Sequence, residues 1–303
     1  MLPTLVAPGR RGPSTSLRVL GVATLLVSVL LVPSVLEAQS SSRHRAPDRS
    51  SERSLGTYSE TRRSNPIREG MPSTPGGFTF CRLQYTVARS LRSGMGWSTD
   101  YPGADFNLTT RLSELTPTWL SHWENGDPGI AVVRPTDPNL FRCPFLFASD
   151  IGSATFSDEE VQALREFLLK GGLLWVDDFW QDRPWNFWVE EISRILPEFP
   201  IVDMPMDHPL LSIVYNVTEI PQIPHIGFWR RSGGQTSEFG AESAQVNFRA
   251  IFDDEDRLLV LMTHNTDIAD GWEREMDDNE YFRLFSPDAY ALGVNVLVWT
   301  MTH

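Results

Sequence analysis

From Gly77 onward, short apolar runs alternate with segments whose apolar residues recur every three or four positions. "GFTFCRLQY" reads as a strand, and "ADFNLTTRLSEL" has helical spacing. "GIAVVRP" and "PFLFAS" are further strands; the second is continuous and apolar, as a strand covered on both faces must be. In "SDEEVQALREFLLKGG", Ser157 stands as an N-cap with Glu160 three places on, the capping-box spacing. Val161, Leu164 and Leu168 form its apolar stripe, and Gly171 is placed to end the helix. "GLLWVDD" is then a buried strand, and "PWNFWVEEISRIL" is an amphipathic helix with Pro184 near its start. "FRAIFDDEDRLLVLMTHN" predicts a hairpin across the acidic turn Asp253 to Asp256. "SPDAYALGVNVLVWTMTH" predicts a closing helix, capped by Ser286 with Pro287 at its first position. No internal repeat is present.

This alternation predicts a three-layer α/β fold with a mostly parallel sheet of five or more strands. Folds of that kind bind ligands outside the carboxyl ends of their strands. Three polar clusters fall there: Asp150 to Ser153 after "PFLFAS", Asp177 and Asp178 after "GLLWV", and His264 to Asp270 after "LLVLMT". The candidate cleft comprises Asp150, Asp177, Asp178, His208, His264, Asn265, Asp267 and Trp272.

Several motifs carry a resemblance, in order along the chain. They are "RLQY" (Arg82 to Tyr85), "TDYP" (Thr99 to Pro102), "RLSELT" (Arg111 to Thr116), "LREFLLKGGLLWVDDFW", "DHPL" (Asp207 to Leu210), "HNTDIADGWE" (His264 to Glu273) and "YALGVNVLVWTMTH". Over about Gly77 to His303 the chain resembles the bacterial family called domain of unknown function 4159. That family is grouped with the class I glutamine amidotransferase-like superfamily. The resemblance therefore implies a flavodoxin-like fold. In that superfamily's enzymes the strand after the capped helix leads to a nucleophilic cysteine. Here the corresponding residues are Val176, Asp177, Asp178 and Phe179, and Cys81 and Cys143 precede them by whole elements. A thiol mechanism needs its thiolate beside a base, so glutaminase activity is not expected.

Charge narrows the partners. Before Gly77 there are ten Arg and five acids; from Gly77 onward 16 Lys plus Arg face 34 acids, so the balances are +5 and −18, which sum to −13. A globular part so acidic is repelled by phosphates, which argues against nucleic acid and anionic lipid as its partners. Lys170 is the only lysine. The amino terminus differs: Arg10, Arg11 and Arg18 lead into the uncharged run Val19 to Val32, followed by Pro33 and small residues. This is the layout of a signal peptide over residues 1–38, too short to match the roughly 20 residues of a bilayer span, with a retained anchor as the alternative. Residues 39–76 are rich in Ser, Arg and Pro and read as a disordered linker to a single domain over residues 77–303. The expected location is periplasmic or otherwise outside the cytoplasm, with membrane contact only through an uncleaved amino terminus. In an exported protein the two cysteines are either one disulfide or two buried thiols; alone they do not make a metal site.

The acidic corner is open to two functional classes. One is a non-catalytic module binding a small molecule or protein partner at the strand ends. The other is a hydrolase using Asp177 or Asp178 with His264, with or without a metal. No cluster has tight metal-ligand spacing, and "DIADGWE" lacks the calcium-loop order and reads as an acidic turn, so neither metal nor cofactor is expected. Adjacent carboxylates on a strand point opposite ways, so at most one faces a given pocket. The plain alternative is that one caps the next helix and the other pairs with Arg183. Asp207 reads as an ordinary cap, and His208, before Pro209, as the start of a helix. Trp175, Phe179, Trp180, Trp185, Phe187 and Trp188 crowd the same region, which suits sugar binding or an interface, although core packing explains most of them.

Overall fold

In the computed structural model the residues described are Arg68, 70–73, 76–89 and 94–303. The expected signal segment and most of the expected linker lie outside them. Five parallel strands run from one edge of a seven-stranded sheet: β1 (Phe80–Leu83), β3 (Ile130–Val133), β4 (Phe145–Ser149), β6 (Leu173–Phe179) and β9 (Leu258–His264). With β7 (Ile201–Asp203) and β8 (Asn247–Phe252) the spatial order is β3-β1-β4-β6-β9-β8-β7, and β8 runs antiparallel to both its neighbours. Taken in chain order, the five parallel strands lie 2-1-3-4-5. A second, two-stranded sheet joins β2 (Thr86–Val87) to β5 (Ala154–Thr155).

Six α-helices lie among the described residues: α1 (Gly103–Leu115), α2 (Asp158–Leu169), α3 (Asp182–Ile195), α4 (Ile226–Ser232), α5 (Ile268–Glu273) and α6 (Asn279–Thr302). Strand alternation sends Phe80, Phe147, Trp175 and Leu261 into one core with residues of α1, α5 and α6. Cys81, Leu146, Val176 and Met262 face the other core, with residues of α2 and α3. The result is the three-layer arrangement that the alternating pattern predicts. Cys81 and Cys143 are bonded across the second core, with Cα atoms 5.9 Å apart. The bond ties β1 to the entry of β4.

The capping box of α2 forms in full: the Glu160 N–H donates to Ser157 Oγ (3.2 Å) and the Ser157 N–H to Glu160 Oε2 (2.9 Å). Lys170 follows as the C-cap, its ammonium paired with Glu166. Gly171 has φ +109°, and a Cβ on Gly172 would meet the Phe167 ring at 2.3 Å, so both glycines are needed for the turn into β6. The hairpin forms as predicted, its turn closed by Asp253 Oδ1, which accepts from the N–H groups of Glu255 (3.0 Å) and Arg257 (2.9 Å).

Three expectations are corrected. The last helix begins at Asn279, capped by Asp278 Oδ1 accepting from Glu280 N–H (2.8 Å) and Tyr281 N–H (3.2 Å). Pro287 therefore lies inside the helix, and Ser286 is a buried helical residue rather than a cap. Tyr281 and Phe285 pack against the Trp229 ring, and that burial outweighs the backbone bond lost at the proline. "DIADGWE" is not a turn but the helix α5, capped by Asp267. Before Gly77, Arg68 pairs with Asp127 (2.5 Å) and Pro72 is buried, so part of the span read as linker is packed on the domain.

Candidate functional site

The carboxyl ends of β4, β6 and β9 meet at one sheet edge. Ser149 is level with Asp177, and Phe179 with His264. Between Val176 and Phe179 the register with β9 shifts, and Asp178 adopts φ 53°. Asp100 (62°), Asp150 (49°), Gln181 (71°) and Asn265 (63°) are also left-handed. Non-glycine residues adopt this region at a cost, and five of them gather at this edge.

Asp177 and Asp178 have separate fates. Asp177 Oδ1 accepts from Thr263 Oγ1 (2.5 Å) and its Oδ2 from the Ala269 N–H (3.0 Å), so it joins β9 to the first turn of α5. The helix it caps is thus α5, not α3, and Arg183 lies over the Phe187 ring. Asp178 Oδ1 accepts from Trp180 Nε1 (3.0 Å), while its Oδ2 is buried without a partner. Asp150 repeats the pattern: Oδ2 accepts from the Gly96 N–H (2.9 Å) and Oδ1 is buried without a partner. Tyr85 Oη donates to the Ser149 carbonyl (2.7 Å) and holds the end of β4.

Three residues of the site, Asp100, Arg82 and Asp105, were not among the candidates read from the sequence, and Asp270 closed one of its polar clusters. Asp100 Oδ2 accepts from Ser149 Oγ (2.9 Å). Arg82, fully buried on β1, grips both oxygens of Asp105 on α1, donates to the Thr99 carbonyl (2.9 Å), and stacks 4.9 Å over the Phe147 ring. Asp270 Oδ2 accepts from the Ile226 N–H (3.2 Å) and its Oδ1 from Arg274 Nε (3.2 Å). Asp267, which was expected at the edge, caps α5 by accepting from the Asp270 N–H (2.9 Å). One signal was available: Arg82 is a lone charge within "FTFCRLQY", and a strand buried on both faces tolerates a charge only with a buried partner.

The edge is crowded with negative charge. Asp100, Asp105, Asp150, Asp177, Asp178, Asp267 and Asp270 are all buried. Their guanidinium partners are Arg82 and Arg274. Two like charges 4 Å apart repel by about 1 kcal/mol in water and about 4 kcal/mol near a protein surface. Burial pushes the Asp150 carboxyl up to about 6 and that of Asp177 up to about 7. Burial, reinforced by the charge of Asp100, pushes Asp178, Asp267 and Asp270 well above the usual carboxylate range.

The remaining candidates separate. His264 is at the edge, but its ring stacks on Trp185 and its nitrogens meet the Gln181 carbonyl (3.0 Å) and Asn247 Nδ2 (3.1 Å). Burial lowers it to about 4, so it is neutral. Asn265 braces the backbone, its Oδ1 accepting from the Gln181 N–H (2.8 Å). Trp272 packs between Phe147 and Trp175 in the core beneath the edge, with Nε1 buried and unpartnered. His208 is not part of the edge. Its ring packs on Phe252 and Trp299, and Phe252 pairs with Leu258 at the start of β9, the opposite end of the sheet. His208 does begin a helical turn, Pro209–Ser212, whose Leu210 N–H donates to its Nδ1 (3.2 Å). Two clefts, of about 560 and 620 Å³, also open at that opposite end, around Gly77 and Pro144.

A family model described as domain of unknown function (DUF4159) matches residues 79–301. The chain belongs to this family. The match covers every strand and helix described above except the first residue paired at the sheet margin, Phe78, and the end of α6. All the buried edge carboxylates thus lie within the DUF4159 domain. No curated protein matches the chain. Among the described residues no helix is long and apolar enough to cross a membrane.

Proposed function

We propose that this DUF4159 protein is an exported bacterial binding module of the flavodoxin-like, class I glutamine amidotransferase-like type, non-catalytic, with its ligand site at the strand-end edge. The strand order 2-1-3-4-5 supports the flavodoxin-like assignment, because it is the order of that doubly wound class. The observation that carries the functional reading is Asp178. It stands on a left-handed residue in the place where the resembled superfamily holds its thiol, buried, with one oxygen unpartnered. Both cysteines of the chain are consumed in a disulfide, which leaves no thiolate for amide transfer and also favours an oxidising compartment. The hydrolase alternative loses support, because burial makes His264 a weak base and its ring nitrogens meet a carbonyl and an amide rather than a carboxylate or nucleophile.

Two measurements test the reading. Ammonia release from glutamine by the unreduced chain is expected to stay at background; release that vanishes in Cys81→Ser or Cys143→Ser would overturn the non-catalytic assignment. A ligand-detected NMR screen of small polar metabolites, run with EDTA on the native chain and on Asp178→Asn, addresses binding. At least one compound should bind the native chain alone, and two identical screens would remove the strand-end edge as the binding site.

A further inference from the structure

Asp100, Asp267 and Asp270 present carboxylate oxygens that all lie within 4.8 Å of one another. They come from the loop before α1, the N-cap of α5 and the first turn of α5, so distant parts of the chain converge. The counter-charge beside them is incomplete. Arg82 pairs with Asp105, and Arg274 divides itself among Asp270 (3.2 Å), Glu273 (2.6 Å) and Asp277 (3.5 Å). Folding has therefore brought three carboxylates together where one guanidinium reaches only one of them.

A second observation is independent of this trio. Asp178, on β6, is 2% exposed, and its Oδ2 has no hydrogen-bond partner although its Oδ1 is fixed by Trp180. It follows Asp177, which is level with Ser149, the partner of Asp100, and which accepts from the Ala269 N–H between Asp267 and Asp270, so it stands beside the trio. A buried, unpartnered carboxylate oxygen costs stability unless something occupies the space before it.

From these two observations we infer that Asp100, Asp267 and Asp270 hold a hard divalent cation, with Ca²⁺ the best match and Asp178 the neighbouring buried carboxylate whose charge it would offset. This deepens the binding reading above and rests on it. The donor set is oxygen alone, with no His or Cys in the cluster, which selects Ca²⁺, Mg²⁺ or Mn²⁺ over zinc or copper. Oxygens at about 2.3–2.6 Å from a Ca²⁺ lie no more than about 5 Å apart, which the spacing satisfies. The supporting shell exists as well. Ser149 Oγ holds Asp100 Oδ2, and the Asp270 N–H holds Asp267 Oδ1, so these two carboxylates are each oriented through one oxygen, while Asp270 is fixed by the Ile226 N–H and Arg274. Exposure runs from 8% at Asp100 to none at Asp270, so the trio is shielded from bulk water, and a cation's charge acts more strongly in such a site.

The experiment is calorimetric titration of the chelator-stripped full chain with Ca²⁺, Mg²⁺ and Mn²⁺ at pH 7.5. One ion per chain is expected, with Ca²⁺ tightest. Asp100→Asn should weaken Ca²⁺ binding at least tenfold without lowering the thermal midpoint measured in EDTA. Asp203→Asn, at an exposed carboxylate, should bind as the native chain does. A readout that needs no variant is Tb³⁺ luminescence excited through tryptophan, which should appear with the native chain and be displaced by Ca²⁺. Absence of binding by all three ions at millimolar concentration overturns the inference, as does native-like binding in both Asp100→Asn and Asp178→Asn. If the ions fail while a metabolite still distinguishes native from Asp178→Asn, the cation assignment falls and the binding reading stands.

Discussion

Asp177 and Asp178 are neighbours with the same side chain, yet opposite responses are expected when each becomes Asn. Asp177 accepts two hydrogen bonds that join β9 and α5 to β6, and an amide can replace only part of that set. Asp177→Asn should lower the unfolding free energy by about 2 kcal/mol in a urea titration, as expected when a buried bonded acceptor is lost. Asp178 keeps one oxygen without a partner, so Asp178→Asn should leave stability in EDTA within about 0.5 kcal/mol or raise it. A loss of about 2 kcal/mol at Asp178 would make it a structural corner. The adjacency of the two acids was plain in the sequence, but this division was not. It depends on a register shift between β6 and β9, and strand alternation has no sign of that shift. Arg82 and Asp100 lay in view within "RLQY" and "TDYP", but their partners stand on other elements, beyond the reach of local pattern.

At the scale of elements, legibility followed length and periodicity. The long apolar strands and α2 were readable because each buries a regular face and α2 carries its cap in sequence. Strands β2 and β5 have two residues each and β7 three, too few for any period to show. The start of α6 was misplaced because Ser286 and Pro287 imitate a helix beginning. The true cap, Asp278, precedes a turn whose anchors, Tyr281 and Phe285, find their partner Trp229 about fifty residues earlier. Asp278→Ala should therefore cost about 1 kcal/mol by chemical denaturation, the usual loss for an N-cap. Ser286→Ala should be close to neutral, since its hydroxyl has no partner; the reverse pattern would place the helix start back at Ser286.

For the whole molecule, the edge sets a pH dependence whose sign can be worked out. Asp177 titrates at about 7 and Asp150 at about 6, against an ordinary value of 3.8. The folded chain therefore holds protons that the unfolded chain releases above about pH 4, and stability is lost as pH rises through this window. His264 acts oppositely, but only between its ordinary 6.5 and about 4, so above pH 6.5 the carboxylates act unopposed. In EDTA the urea midpoint should fall from pH 6.5 to 8. A midpoint that rises over that interval would mean the edge is neutralised by some other means. The disulfide closes a separation of 62 residues, and a chain-entropy treatment makes its loss worth about 4 kcal/mol, measurable by unfolding the reduced chain. The expectation of export came from the amino-terminal pattern, which lies outside the described residues. One last feature turns into a tool. Lys170 is the chain's only lysine, and its side chain is 61% exposed at the end of α2 beside β6's entry, across the sheet from the acid cluster. Amine-reactive dyes can thus mark the folded domain at one lysine alone, a built-in attachment point from which a fluorophore or a surface tether leaves the carboxylate edge untouched.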